Sequence, residues 1–377
     1  MTVALRYEDE HALLRAEAQR WLGEHHSMTV VRRLAEDDRG ENPEAWGGLA
    51  KLGWIGLLIP NAFGGGGLGF THAAVLLEEC GRYLLTSPLL ATMLGGLVIE
   101  RGGSEEQRAR YLPDLAQGGR LVTLAHVEPS GEWRSEGTTL RRRRGRLSGE
   151  KRYVWAAARA DAFLTPFRDG DGTGSVRVAL VEARAPGVQV HSEIGLDATR
   201  RTGRLVLRDV EVPEDAVLAG SATEVFDFLL PRACTLLAAE MIGGADALLT
   251  MTARYAATRV QFGRPIGSFQ AVKHPLVNVL IAIEQARSLV YAAAAALDAG
   301  SPEAEMLARM AKAHASDAYG FAASRGIQFH GGFGFTYECD AHFYLKRAQA
   351  SRPAFGDAAH HRQWVARTLI ETAGERP

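Results

Sequence analysis

The stretch Arg259-Val260-Gln261-Phe262-Gly263-Arg264-Pro265-Ile266-Gly267-Ser268-Phe269-Gln270-Ala271-Val272-Lys273-His274 concentrates groups suited to a dinucleotide. Arg259 offers a fork of donors matched to a pyrophosphate, and Phe262 offers a flat face to a ring. Gln270 can both donate to and accept from an adenosine ribose or base. A second segment, Gln328-Phe329-His330-Gly331-Gly332-Phe333-Gly334-Phe335-Thr336, carries adjacent glycines. Without a Cβ, backbone N–H groups there can approach a phosphate or ring closely; a tight helix–helix turn is the alternative. A third glycine run, Gly64 to Gly69, lacks the alternation of strand and helix of a dinucleotide fold and has no P-loop lysine after it, so it reads as a structural loop. Arg141 to Arg144 and Arg146 flank Gly145, and a solvated β-hairpin is favoured over a phosphate patch. Glu240 lies in the apolar run Leu236 to Ile242, where a carboxylate either serves chemistry or pairs with a buried arginine. Cys80, Cys234 and Cys339 lie far apart, and His25-His26 and His360-His361 read as surface pairs, so no metal site is expected.

The elements that must position these groups change texture twice along the chain. Residues 1–120 read as helices, among them Tyr7 to Gly23, Trp46 to Leu58 and Thr71 to Leu85, with Thr71 and Ser104 as caps and Pro113 helping to stop a helix. From 121 to 219, short β-rich runs alternate with turn signals, which predicts a small antiparallel barrel or sandwich. Residues 220–377 return to helices: Glu224 to Thr258, Pro275 to Leu297, Pro302 to Ser324, and two more from about Tyr337 and Ala358. Four long helices with short links predict an antiparallel bundle. The expected fold class is therefore α+β, in three segments: 1–120 helical, 121–219 β, 220–377 helical.

Length and charge narrow the function classes. A chain of 377 residues is expected to form two or three packed units. A formal net charge of -1 supplies no electrostatic reason to bind nucleic acid or an anionic membrane. The acids in Ala4-Leu5-Arg6-Tyr7-Glu8-Asp9-Glu10 do not suit a signal peptide, and no apolar run approaches the roughly 18 residues of a spanning helix. A cytoplasmic protein is expected.

Taken together, the pattern R-x-x-F-G-x-x-I-x-x-F-Q followed by Q-x-x-G-G-x-G-F resembles the C-terminal domain of acyl-CoA dehydrogenases. Further pieces resemble the same family in the same order: Trp46 to Leu49, Gly53-Trp54, Pro60, Gly64-Gly65, Glu78 to Arg82, Glu128 to Gly131 and Ser148 to Lys151. The resemblance spans essentially the whole chain and implies a dimer or tetramer in which FAD crosses a subunit interface. By it, Arg259, Gln261, Phe262 and Gln270, with Gln328, Gly331 and Gly332, hold the diphosphate and adenosine of a neighbour's FAD. Leu124, His126, Val127, Tyr153 and Trp155 match positions lining the chain's own isoalloxazine ring. The implied reaction removes an α-proton from an acyl thioester, carried by CoA or an acyl-carrier protein, while a β-hydride moves to the flavin. The reduced flavin then passes electrons to an electron-accepting flavoprotein.

The sequence departs from the family at the base. The family carries its glutamate at one of two places, which fall here on Gly356 and Ala233. Glu240, seven residues after Ala233, and Asp357 remain as substitutes. Val127 and Trp155 stand where the family often has threonine. The leading expectation is an acyl-CoA dehydrogenase forming a trans-2-enoyl thioester. Two others stand beside it: a base-less structural subunit of a heteromeric dehydrogenase paired with a sister chain, and a flavin-dependent monooxygenase or oxidase on the same fold.

Overall fold

The computed structural model describes residues 9–37, 40, 42–170 and 175–374. Among the described residues, six α-helices come first: α1 (Asp9–His25), α2 (Met28–Glu36), α3 (Pro43–Lys51), α4 (Phe70–Arg82), α5 (Leu89–Gly102) and α6 (Glu105–Ala116). Seven strands follow: β1 (Val122–Leu124), β2 (Arg141–Arg143), β3 (Arg146–Trp155), β4 (Ala162–Asp169), β5 (Val176–Glu182), β6 (Val188–Glu193) and β7 (Thr202–Glu211). The chain then forms α7 (Ala222–Thr258), the two-residue strands β8 (Val260–Gln261) and β9 (Arg264–Pro265), and α8 (Gln270–Asp298), α9 (Ala304–His330), α10 (Ala341–Ser351) and α11 (Ala358–Gly374). The helix–sheet–helix order is the one expected; the proposed start of the first helix at Tyr7 lies outside the described residues.

Two compact units cut across the three consecutive segments. One comprises residues 34–68 and 86–230, the other 1–33, 69–85 and 231–377. In the first, β4 pairs with β5 along one edge and with β1 and then β2 along the other, and the sheet continues through β3 and β7 to β6. The β1–β4 and β2–β4 pairings are parallel, so the expected wholly antiparallel sheet is corrected to a mixed one. The reason is topological: β1 and β2 each reach β4 by a long connection, which frees them from hairpin geometry. Leu147, Val154, Phe163, Phe167, Val181, Leu205 and Leu207 form its core. The arginine-dense segment is the expected hairpin, with Arg142 opposite Leu147 and the turn at Arg144 and Gly145, both at positive φ. Arg142 is held by Asp169 on β4 and by Glu214 beyond β7.

In the helical unit α4 and α7 cross with their backbones in contact. A Cβ on Gly81 would lie 1.9 Å from the Glu240 carbonyl oxygen, and one on Gly243 would lie 1.7 Å from that of Glu78. Buried charge surrounds this crossing. Arg15 grips Glu78 (2.9 Å) and Glu79, Arg287 reaches Glu78 (3.0 Å), the Tyr291 hydroxyl donates to Glu78 (2.6 Å), and Arg82 bridges Glu79 (3.0 Å) to Asp246 (2.6 Å). Burial pushes the Glu78 carboxyl up, but Arg15 and Arg287 outweigh it and leave its pKa below the ordinary value.

Several boundaries differ from the sequence expectation. Thr71 does not cap α4: Asp298, at the end of α8, accepts from the N–H groups of Phe70 (2.5 Å) and Thr71 (3.0 Å) and from the Thr71 hydroxyl (2.7 Å). A carboxylate at a helix N-terminus satisfies donors and dipole together. Ser104 forms the expected cap, completed by Gln107, whereas Pro113 lies inside α6. Helix α9 runs on to His330 and absorbs Gln328. The expected absence of any membrane-length apolar helix is also corrected, because α8 is long and apolar enough by composition, with 44% of its apolar window buried. One face, including Val279, Ile283, Ala286 and Val290, is core; the other exposes Val277, Leu280 and Ile281.

Candidate active site

At the end of α7 the chain turns back through β8 and β9, pairing Val260 with Pro265 and Gln261 with Arg264. The two-residue turn is Phe262-Gly263, at φ 54 and 76, the conformation a tight hairpin demands. Glycine adopts it readily, whereas a bulky aromatic there is uncommon and held by context. Phe262 is thereby put at the tip, 91% exposed, edge-on to Phe269 at 6.0 Å. Arg264 stacks 4.2 Å over Phe269, and the Ile266 N–H donates to the Arg259 carbonyl at 2.8 Å. Arg259, Gln261 and Gln270 are all exposed.

Tyr255, one turn before Arg259, stacks on His330 at 4.4 Å and on Phe333 at 6.2 Å. This contact joins the base of the hairpin to the turn at Gly331 and Gly332. Both glycines are exposed, and a Cβ on either would meet nothing within 4 Å, so the backbone there is open to a ligand. Gln328 is exposed in the last turn of α9, and Phe335 is 85% exposed. The predicted dinucleotide-binding residues from both segments are thus solvent-exposed, and Tyr255 ties the two segments together.

The ring-side residues belong to the sheet unit. Leu124 ends β1 and is buried; Val127 bridges to Arg152; Tyr153 is 60% exposed; Trp155 is partly buried, with Arg200 4.7 Å over its ring. Thr123 Oγ1, on β1, donates to the Trp155 carbonyl at 2.8 Å. Burial, aided by the Lys151 charge, pulls His126 down to a pKa of about 3, so its imidazole is neutral at ordinary pH. Lys151 and Glu128, from two of the resembling pieces, meet in the fold: Lys151 is fully buried against Glu128 at 2.7 Å, and Glu128 also accepts from Thr139. These contacts hold the segment in place but place no hydroxyl at Val127 or Trp155.

Ala233 and Gly356, where the family resemblance implies a base, both lie in the helical unit. Ala233 is buried, and its neighbour Cys234 places Sγ 3.9 Å from the Phe355 carbonyl and 3.7 Å from His361 Nε2. Gly356 is buried at φ 96, and a Cβ there would lie 2.8 Å from His360 Cδ2 and 3.1 Å from His361 Nε2. Lys312 is buried beside them; its Nζ donates to Ser316 Oγ (3.2 Å), the Arg352 carbonyl (3.0 Å) and the Gly356 carbonyl (3.2 Å). A caged ammonium therefore stands beside Gly356 and Cys234. Of the substitutes, Glu240 is buried and ion-paired with buried Arg347, which favours a structural role over that of a displaced base. Asp357 accepts from the His360 N–H at 2.8 Å and caps α11. Lys312 and Arg347 carried no local sequence signal, since their roles depend on partners distant in the chain.

Comparison with known proteins supplies the remaining context. Family profiles described as "Acyl-CoA dehydrogenase, N-terminal domain" and "Acyl-CoA dehydrogenase, C-terminal domain" match residues 8–119 and 228–370. The chain is 33% identical over 345 residues to acyl-CoA dehydrogenase IpdE2 of Mycobacterium tuberculosis, covering 91% of this chain and 92% of that one. It is 29% identical over 356 residues to cyclohex-1-ene-1-carbonyl-CoA dehydrogenase of Geobacter metallireducens, covering 90% and 93%. Among solved structures, the Tcur3481-Tcur3483 steroid ACAD matches with a TM-score of 0.87 at 30% identity, covering 97% of this chain and 99% of that one. The ChsE4-ChsE5 complex of Mycobacterium tuberculosis matches at 0.88 and 26%, covering 99% and 100%.

Proposed function

Because this chain belongs to the acyl-CoA dehydrogenase family, whose cofactor is FAD, and presents no carboxylate at either base position, we propose that it is the base-lacking subunit of a heteromeric acyl-CoA dehydrogenase. The observation that carries this reading is a contrast within the chain. The hairpin at Phe262 and the turn at Gly331-Gly332 are intact and outward-facing, while Ala233 and Gly356 are buried among Cys234, His361 and Lys312.

The FAD fit divides the same way. Arg259, Gln261, Phe262, Gln270, Gln328, Gly331 and Gly332 offer donors, an aromatic face and open backbone to the diphosphate and adenosine. Val127 and Trp155 offer no hydroxyl to the ring. The chain therefore grips the distal end of a flavin whose ring lies in the sister subunit, and that subunit's carboxylate takes the α-proton of the acyl thioester. FAD, when bound, supplies the hydride acceptor that makes the α,β-double bond possible. Acyl-CoA is the expected thioester, and an electron-accepting flavoprotein the expected oxidant. The exposed face of α8, Val277, Leu280 and Ile281, suits subunit association. Two of the similar structures carry paired-chain names, which supports a two-chain assembly. A cytoplasmic location belongs to the same reading.

The test is the visible spectrum of the chain expressed alone and together with a glutamate-bearing sister chain, before and after anaerobic addition of acyl-CoA. The expected result is bleaching only in the co-expressed complex. A stable homomer that holds FAD and is bleached by an acyl-CoA overturns the reading in favour of a self-sufficient dehydrogenase.

A further inference from the structure

Away from these residues, a second group of donors gathers where α1 meets α4. Glu10 and His11 open α1, and His72 lies in the first turn of α4. His72 Nε2 is 3.1 Å from Glu10 Oε1, and the His11 and His72 ring centroids are 4.1 Å apart with their planes inclined by 34°. One ligand atom from each of the three residues falls within 4.8 Å of the others. His11 is buried, the His72 side chain is 14% exposed, and the Glu10 side chain is 59% exposed.

The scaffold under this cluster is rigid. Arg15, one turn beyond His11, is clamped to Glu78 and Glu79, about two turns beyond His72. On the other side of His72, Asp298 holds the N–H groups of Phe70 and Thr71. Both imidazoles are thus presented by helices locked above and below them, the arrangement that lets a site keep its geometry without a ligand. Donor atoms around a tetrahedral zinc ion, with bonds of about 2.0–2.2 Å, lie roughly 3.3–3.5 Å apart. The Glu10–His72 pair already stands at about that separation, and rotation of the exposed Glu10 side chain with small shifts of the two imidazoles brings all three donors onto one ion, the outer side of Glu10 leaving a position for solvent. Two imidazole nitrogens and one carboxylate oxygen form a borderline donor set, suited to zinc rather than to calcium or magnesium.

We propose that Glu10, His11 and His72 bind one divalent transition-metal ion of the zinc class, which staples α1 to α4. The site is separate from the cofactor residues and independent of the subunit reading above.

The full chain, stripped with a chelator, is titrated with Zn(II) by calorimetry and with Co(II) as a spectroscopic probe. The expected results are one equivalent bound, a tetrahedral Co(II) absorption, and a rise in Tm on adding Zn(II). Glu10→Gln, at an exposed position that leaves folding undisturbed, and His72→Ala each weaken binding by about tenfold or more. His191→Ala, at an exposed strand position in the other unit, leaves it unchanged. No saturable binding below millimolar metal, or binding that Glu10→Gln and His72→Ala leave intact, overturns the proposal.

Discussion

Restoring a glutamate at Gly356 is the most direct test of whether the base was merely lost or its place rebuilt. Gly356 has φ 96, a left-handed conformation that costs an L-residue about 1–2 kcal/mol. The new Cβ would stand 2.8 Å from His360 Cδ2, which can swing outward, and 3.1 Å from Nε2 of His361, which is buried against Cys234 and cannot. Overpacking of that kind adds about 1–2 kcal/mol. Gly356→Glu should therefore cost about 2–4 kcal/mol, a substantial part of the 5–15 kcal/mol or so of a typical fold. Any chain that folds should place the carboxylate beside Lys312, whose Nζ lies 3.2 Å from the residue 356 carbonyl, and an ion-paired carboxylate is a weak base. Gly356→Ala serves as the control and should lose nearly as much stability, since it carries the same φ and Cβ. The assay is urea unfolding of both variants, followed by anaerobic acyl-CoA titration of Gly356→Glu. Native-like stability together with flavin bleaching by the lone chain would refute the reasoning.

Other expectations follow from the same contacts. Gly243→Ala adds helix propensity worth about 1 kcal/mol but drives a Cβ onto the Glu78 carbonyl, so a net loss of about 2 kcal/mol is expected in denaturant unfolding; no change would disprove the backbone crossing. Glu240→Ala removes the carboxylate from buried Arg347 and should cost about 3–5 kcal/mol, with Glu240→Met/Arg347→Met recovering much of it; full stability with lost bleaching would instead revive Glu240 as a base. His26 and His361, expected at the surface, are instead buried, and burial depresses them to about 4 and about 3. Both take up protons on unfolding between their ordinary pKa near 6.5 and those values, so stability falls as pH drops through that window, by at most about 1.4 kcal/mol per pH unit for each. Glu78, depressed by its arginines, adds to the loss below about 4.5. Unfolding curves that superimpose from pH 7 to 5 would contradict this. Phe262→Ala, at an exposed tip, should shift monomer stability by no more than about 0.5 kcal/mol yet lower FAD retention in the assembled complex; unaltered retention would remove the hairpin from the cofactor site.

Much of the candidate site was legible along the chain. Gly331-Gly332 announced an open backbone and Phe262 an exposed flat face, whereas the hairpin that carries Phe262 came only with the fold. Local chemistry suffices for such features, because φ preferences and side-chain donors act over a few residues. The parallel strands were less visible: β1 and β4 are near neighbours in a sheet through register, and alternation along one strand says nothing about its partner's direction.

The amino-acid sequence by itself determined the order of helical and β segments, the arginine-rich hairpin, the glycine turn, the family, and the absence of glutamate at residues 233 and 356. Only the tertiary structure decided what stands in that glutamate's stead. Lys312 meets the Arg352 and Gly356 carbonyls, Glu240 meets Arg347, Asp298 caps α4, and His72 meets Glu10 and His11. Each of these pairs a charge or an imidazole with a group brought near by helix packing. The value of a buried charge depends on its partner's distance and on exclusion of water, and neither quantity is encoded in spacing along the chain.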